Sequence, residues 1–425
     1  MTTFTAEAYQ NEYLSAGGGE VNAVVTVTAS GAAPAAASTQ AAEIIIVDVS
    51  GSMGTPRAKL KAATRATAVA IDCIRDGVMF GVIAGNDTAR AVYPQEGGLV
   101  SASPHTREQA KRALARLKAT GGTAIGRWLA LANELFAVTP EAIRHAILLT
   151  DGQDEHETSE ELEAVLANCE GSFQCDCRGV GTDWEVQELR RIATTLLGTV
   201  DIVAEPADLE ADFQAIIERA MGKATGDVVL RLWTPQGAGV AFLKQVAPAI
   251  EDLSSRASAV ETLTADYPTG AWGDESRDYH LCIHVEPRAV GEEMLAGRTS
   301  LMVDGEVVSQ ALIRAIWTDD EQLSTRINRE VAHYTGQAEL ADAIQEGLEA
   351  RKQGDEHTAT FKLGRAVQLA AAAGNSDTMK LLAGVVDVQD AHTGTVRLKR
   401  RVQDAEEMAL DTRSTKTVRV RKEGP

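Results

Sequence analysis

The run Glu43-Ile44-Ile45-Ile46-Val47-Asp48-Val49-Ser50-Gly51-Ser52-Met53-Gly54 decides how this chain is read. Its first half is β-branched and apolar on both faces, the composition of a strand buried inside a sheet. The strand then ends abruptly in an acid and two hydroxyls. Asp48, Ser50 and Ser52 fall at alternate positions, and alternate residues of an extended chain point the same way. Three oxygen side chains therefore converge at the carboxyl end of a strand, where open α/β sheets hold their ligands. Oxygen-only donors on a short loop suit a hard divalent cation, Mg²⁺ ahead of Ca²⁺ or Mn²⁺. The competing use of the same acid and serines is to cap the next helix.

Two further stretches supply similar chemistry. Thr120-Gly121-Gly122-Thr123-Ala124-Ile125-Gly126 is a glycine-rich loop with a hydroxyl ahead of an apolar helix, and Ala146-Ile147-Leu148-Leu149-Thr150-Asp151-Gly152 is a second apolar strand ending in an acid. Asp48-x-Ser50-x-Ser52, Thr123 in its Gly-Gly-Thr loop and Asp151 in Leu-Thr-Asp-Gly together resemble the metal-ion-dependent adhesion site of von Willebrand factor type A domains. All five family positions are filled, in order and at strand ends, and the resemblance covers about residues 40–222. It implies a doubly wound, mostly parallel sheet. It implies hydroxyl ligation by Ser50, Ser52 and Thr123, with Asp48 and Asp151 binding directly or through water. It also implies a protein partner whose Asp or Glu carboxylate fills a vacant position on the metal. Asp154, Glu155, His156 and Glu157 follow closely enough to form a rim that tunes partner choice, or simply an exposed acidic loop.

The net charge of −20 and isoelectric point of about 4.9 argue against a general nucleic-acid binder and against an anionic-membrane binder. They provide a favourable background field for a cation. No stretch has the length of an apolar membrane span. Met1-Thr2-Thr3-Phe4-Thr5-Ala6-Glu7 lacks the basic and apolar regions of a secretory signal, and five cysteines form no even framework. A cytoplasmic protein is the simplest expectation. Cys175-Asp176-Cys177, with Cys169 upstream, reads either as a soft-metal or redox pair or as buried free thiols. Gly179-Val180-Gly181 lacks the spacing of a nucleotide loop. The histidines are scattered, and no base is placed to activate Ser50, so the sequence reads as a binding protein, not an enzyme.

In chain order, residues 1–30 hold an alternating strand, Gly19 to Ala29, which cannot stand alone and is expected to pair with a sandwich far downstream. Residues 31–42 are Ala-, Pro- and Ser-rich and read as a linker. Residues 43–222 alternate strand and helix, which predicts helices on both faces of a parallel sheet. The helix expected over Arg57 to Ile74 carries Leu60, Ala63, Ala66, Ala70 and Ile74 on one face. Residues 226–318 show short strands and no helices: Asp227 to Trp233, Val240 to Leu243, Ala257 to Leu263, Asp278 to Val285 and Glu306 to Trp317. They predict a β-sandwich into which the α/β domain is inserted. Residues 319–390 carry helical stripes split at Gly354 and Gly374-Asn375, a C-terminal α-helical bundle. Residues 391–425 turn basic and read as a mobile tail, in which Thr412, Thr415 and Thr417 are candidate kinase sites able to dock a phosphopeptide-binding module; the alternative is a plain solvated tail.

The functional expectation is a metal-dependent protein-interaction module or scaffold. The alternative is an adaptor or subunit of an ATP-driven AAA+ remodelling or chelatase-like complex, with the ATPase on another chain. An extracellular adhesin is disfavoured by the missing signal, and a hydrolase acting through Ser50 by the missing base.

Overall fold

The computed structural model describes residues 2–31, 40–56 and 58–419. Two compact units share the chain: Ala33–Gly226, and Met1–Ala32 together with Asp227–Pro425. In sequence, the first is inserted into the second. The chain opens with β1 (Thr3–Gln10), β2 (Tyr13–Ser15) and β3 (Glu20–Ser30), all belonging to the split unit.

The inserted unit begins with β4 (Ala41–Asp48), so Ala41 and Ala42 are strand and not linker, while 32–39 lie outside the described residues. A 3₁₀ turn over Gly51–Gly54 leads to α1 (Ala58–Cys73); Arg57, read as its first residue, is outside the described residues. Then come β5 (Met79–Gly85), β6 (Ala89–Tyr93) and β7 (Val100–Ser101). The helix α2 (Pro104–Leu114) starts where Ser103 caps it: Ser103 Oγ accepts from Thr106 N at 3.2 Å and Ser103 N donates to Thr106 Oγ1 at 2.8 Å. There follow α3 (Ile125–Phe136), β8 (Ile143–Thr150), α4 (Ser159–Cys169), β9 (Gln174–Val180), α5 (Val186–Thr195), β10 (Val200–Val203) and α6 (Leu209–Met221).

The sheet order is β10-β9-β8-β4-β5-β6, parallel from β10 to β5, with β6 and β7 antiparallel to β5. The two faces of β4 explain its unbroken apolar run. Ile45 and Val47 pack with Ala63, Ala66 and Ala70 of α1 and Phe213 and Ile217 of α6, while Ile44 and Ile46 are equally buried on the other face. Each such side chain contributes roughly 1.5–3 kcal/mol relative to exposure. Two glycines permit close approach of tryptophans. A Cβ at Gly85 would meet the Trp128 ring at 2.3 Å, and one at Gly179 the Trp184 ring at 1.9 Å.

The split unit is a β-sandwich continued by helices. Its strands are β11 (Val229–Trp233), β12 (Gly239–Ala247), β13 (Glu251–Asp252), β14 (Ser258–Glu261), β15 (Thr264–Pro268), β16 (Glu275–His284), β17 (Glu293–Val303) and β18 (Glu306–Thr318). One sheet runs β1-β3-β16-β12-β13 and the other β14-β15-β11-β17-β18-β2. The N-terminal segment thus contributes three strands, the alternating run being β3. β3 lies between β1 and β16, aligned from Glu20 opposite His284 to Ala29 opposite Glu275. β17 has no counterpart in the sequence reading, because Gly297 and Arg298 interrupt its alternation. Gly297 is needed there: a Cβ would come within 2.6 Å of Ile283 Cδ1.

The helices are α7 (Glu321–Ser324), α8 (Arg329–Lys352), α9 (Glu356–Ala372) and α10 (Ser376–Val385). In place of a mobile tail, the chain continues as a hairpin, β19 (Val386–Asp390) and β20 (Thr395–Leu398), and a further helix, α11 (Asp404–Arg413). Val396 and Leu410 enter the same core as Ile344, Leu363, Val367 and Leu382. A few apolar residues, Val396 and Leu410 with Ala391, Leu398 and Val402 beside them, spaced among many charges make too sparse a pattern to be read as ordered chain. Thr412 is buried in α11. Beyond it the chain lies along 246–250, with Ile250 N donating to Thr415 O at 2.8 Å and Thr417 Oγ1 donating to Val246 O at 2.6 Å. The three candidate kinase sites therefore do not sit on a free tail. Arg421 and Lys422 fall outside the described residues.

At the amino end of the inserted sheet, three ionisable groups form a buried cross-strand row. His145 Nδ1 is 2.9 Å from each Glu43 carboxylate oxygen, and its Nε2 is 3.3 Å from Asp176 Oδ2. Burial opposes the His145 charge and pushes Glu43 up, but the two carboxylates prevail and raise His145 to about 10. Burial also opposes the Asp176 charge, yet His145, Arg178 and Thr199 hold that carboxyl below its usual range. An unfolded imidazole titrates near 6.5. The folded value lies higher, so the stabilisation is complete below about pH 6.5 and is lost as pH rises through about 10. His145→Gln should cost about 3 kcal/mol near neutral pH. That gap, measured by chemical unfolding, should narrow between pH 7 and 10.5; a gap constant with pH would refute the assignment.

Candidate metal centre

β4 and β8 are neighbours whose chain continuations leave the sheet in opposite senses, α1 leading to β5 on one side and α4 to β9 on the other. Such a switch point opens a crevice at the carboxyl ends of the strands. Asp48 ends β4 and Asp151 follows β8, and neither carboxylate is exposed. Asp48 Oδ1 accepts from Ser50 N at 2.7 Å, and Asp48 Oδ2 accepts from Thr150 Oγ1 at 2.6 Å. Burial raises Asp48 to about 6 against those hydrogen bonds, with Asp151 adding to the rise.

The hydroxyls form a short chain. Ser50 Oγ lies 2.8 Å from Ser52 Oγ, which donates to Asp151 Oδ1 at 2.6 Å. The loop carrying Thr123 is tied beneath them, with Thr120 N donating to Val49 O at 2.7 Å and Gly51 N to Gly121 O at 2.9 Å. Gly152 leaves the centre open: a Cβ there would stand 3.2 Å from Thr123 Oγ1 and 3.5 Å from Ser52 Oγ. All five predicted residues therefore come together. Helix capping does not account for the serines, since Ser50 makes no side-chain cap and its hydroxyl faces Ser52 instead.

The rim residues divide by role. Asp154 Oδ2 accepts from Ile125 N at 3.1 Å, and Glu157 accepts from Gly126 N at 2.7 Å and Arg127 N at 3.1 Å. These carboxylates occupy the amino terminus of α3, where the backbone dipoles favour negative charge. His156 brackets Thr123, its Nδ1 accepting from Thr123 N at 3.3 Å and its N donating to Thr123 O at 3.1 Å. Asp154, Glu157 and His156 thus fasten the Asp151 loop to the Thr123 loop, and Glu155 is left exposed. Burial and the neighbouring Glu157 and Glu188 push Asp154 up to about 7.

Two residues of the site were missed in the sequence. Thr150 buttresses Asp48. Lys59 Nζ sits 2.7 Å from Asp151 Oδ2 and 3.3 Å from Asp183 Oδ2. Its signal was present: Lys59 shares the buried face of α1 with Ala62, Ala63 and Ala66, where a lysine is out of place.

The donor set is two carboxylates and three hydroxyls, all oxygen, which suits a hard divalent cation. Two buried carboxylates against one ammonium leave a net negative nest, so the residues present fit such an ion. Cys169, Cys175 and Cys177 are free and buried, and Cys177 together with burial raises the Cys175 thiol well above its usual range. Among the described residues, no three or more His, Cys, Asp or Glu side chains gather as a metal cluster. No helix among them is long and apolar enough to cross a membrane.

Comparison with known proteins agrees with this geometry. Residues 42–202 match the profile of the von Willebrand factor type A domain, and residues 368–414 that of a von Willebrand factor type A C-terminal domain. The second match spans the β19–β20 hairpin and α11. The chain is similar to a von Willebrand factor type A protein from Catenulispora acidiphila, with 51% identity over 98% of this chain and 97% of that one and a TM-score of 0.94. The ArnB paralog VWA2 from Sulfolobus acidocaldarius shares the fold at 12% identity, over 97% of this chain and 98% of that one, with a TM-score of 0.55. No curated protein sequence matches the chain. With the five site residues assembled at the switch point and a relative of this identity along nearly its whole length, the chain belongs to the von Willebrand factor type A family, whose domains in general serve as metal-dependent protein-interaction modules.

Proposed function

We propose that this protein is a cation-dependent protein-binding module, not an enzyme, and that it recognises an acidic side chain of its partner. The observation that supports this most directly is the hydroxyl chain from Ser50 through Ser52 to Asp151, at 2.8 and 2.6 Å, lying over the buried Asp48. Ser50, Ser52 and Thr123 would hold a divalent ion, Mg²⁺ foremost, with Asp48 and Asp151 binding it directly or through water. When bound, such an ion supplies a positive centre that an anionic oxygen can join. The chain's own residues do the rest. Thr150 and the Ser50 amide fix Asp48, His156 and Glu157 fix the Thr123 loop, and Gly152 keeps the mouth free of side chain. A nucleophile-and-base pair, which hydrolysis would need, is not part of this reading.

Mn²⁺ titrated into the protein and followed by electron paramagnetic resonance should bind at a single site. Asp48→Ala should abolish that binding, and Ser50→Ala should weaken it about tenfold or more. Partner capture should be lost both in EDTA and with Asp48→Ala; a partner retained in both would move recognition away from this site. The buried Asp48 charge is poorly compensated without a cation, so Asp48→Asn should stabilise the cation-free protein by roughly 1–3 kcal/mol. Its melting temperature in EDTA should exceed that of the parent chain, and an equal or lower value would contradict the idea that this ligand is costly to bury.

A further inference from the structure

Lys59 stands outside the five positions, yet its ammonium is paired with one of them. It projects from the first turn of α1, and its side chain is 11% exposed. Its ammonium takes Asp151 Oδ2, while Ser52 takes Asp151 Oδ1, so both oxygens of that carboxylate are engaged from within the chain. Asp183, 69% exposed, holds the ammonium from the solvent side at 3.3 Å.

The charges in the nest can be counted. Among the buried groups, Asp48 and Asp151 bring −2 and Lys59 brings +1, leaving −1; Asp183, 69% exposed, is screened by solvent and stands outside this buried sum. A divalent ion would turn that into +1, an uncompensated charge beside two fully buried carboxylates. One carboxylate from outside would return it to zero. Without Lys59, the two acids and the ion would already be neutral, and an incoming acid would carry the site negative. Buried charge is penalised unless it is paired, so these sums bear on which ligand the site demands.

We propose that Lys59 is the specificity-determining residue of this site, a tethered cation that weakens divalent-ion binding on its own and couples it to an anionic ligand. This rests on the cation-dependent reading above and deepens it. The coupling is reciprocal: a partner's acid strengthens the ion, and the ion strengthens the acid. The module would then stay poorly metallated when free and load fully on its partner.

The test is Mn²⁺ binding to the full chain, metal alone, for wild type, Lys59→Gln and Lys59→Arg, in acetate and in chloride at equal ionic strength. Glutamine can still donate to Asp151 but carries no charge; arginine keeps the charge. Lys59→Gln should bind Mn²⁺ at least about tenfold more tightly than wild type and lose any gain that acetate gives. Lys59→Arg should stay within about threefold of wild type. Equal or weaker binding by Lys59→Gln would overturn the proposal and make Lys59 a positioning residue for Asp151. If neither wild type nor Lys59→Gln binds Mn²⁺, the cation-dependent reading falls, and this inference with it. A second measurement needs no variant. The lysine ¹⁵Nζ resonance of Lys59, protected in the metal-free protein, should shift on adding Mg²⁺; an unmoved resonance would also overturn the proposal.

Discussion

Buried carboxylate charge at the ends of two adjacent parallel strands is the constraint around which the inserted unit is arranged. Asp48 and Asp151 are both fully buried, and neither could stay ionised there unaided. The surrounding chain answers each of them separately. Asp48 takes the Ser50 amide and the Thr150 hydroxyl, while Asp151 takes the Ser52 hydroxyl and the Lys59 ammonium. The glycines at 152 and 121 and the histidine at 156 then make sense as devices that bring a third loop close without filling the centre. A tightly packed sheet below is what holds these oxygens in place, because the apolar runs of β4 and β8 leave their strand ends little freedom to move.

The same sheet carries charge at its other end on different terms. The Glu43–His145–Asp176 row is paired within itself, with the imidazole between two carboxylates. Both clusters hold two carboxylates and one cation, and they differ in how each carboxylate is met. Asp176 also takes the Thr199 amide and hydroxyl and lies near Arg178, whereas Asp48, among the described residues, has two neutral donors and no cation of its own.

The split unit depends on both ends of the chain. β3 is the middle strand between β1 and β16, and its Val21, Val25 and Val27 enter the sandwich core beside Leu281, Ile283 and Trp317. Trp317 Nε1 also donates to Gly18 O at 2.8 Å. The sandwich therefore cannot complete its core until segments on either side of the inserted unit have met, a non-local pairing of the kind that slows folding. The last described residues join this unit as well: Arg419 reaches Asp278 of β16 at 3.3 Å, and that same carboxylate accepts from Tyr334 of α8.

By itself the sequence determined the α/β class of the inserted unit, because long apolar strands alternating with helices allow few other structures. The five oxygen-bearing positions were legible through their resemblance to a family motif, while a 3₁₀ turn over Gly51–Gly54, not an extended strand, brings Ser52 beside Ser50. The insertion into a sandwich was also legible, because the alternating run before Ser30 needs partners that only the later strands provide. Tertiary structure alone decided the rest. β17 has an interrupted pattern, and Gly297 makes sense only once Ile283 is packed against it. Residues from 391 onward look like a solvated tail until Val396 and Leu410 find a core assembled mainly from the preceding helices. Lys59 could be seen as misplaced on its helix, but its meaning required Asp151, 92 residues away, because a charge is explained only by the charge beside it.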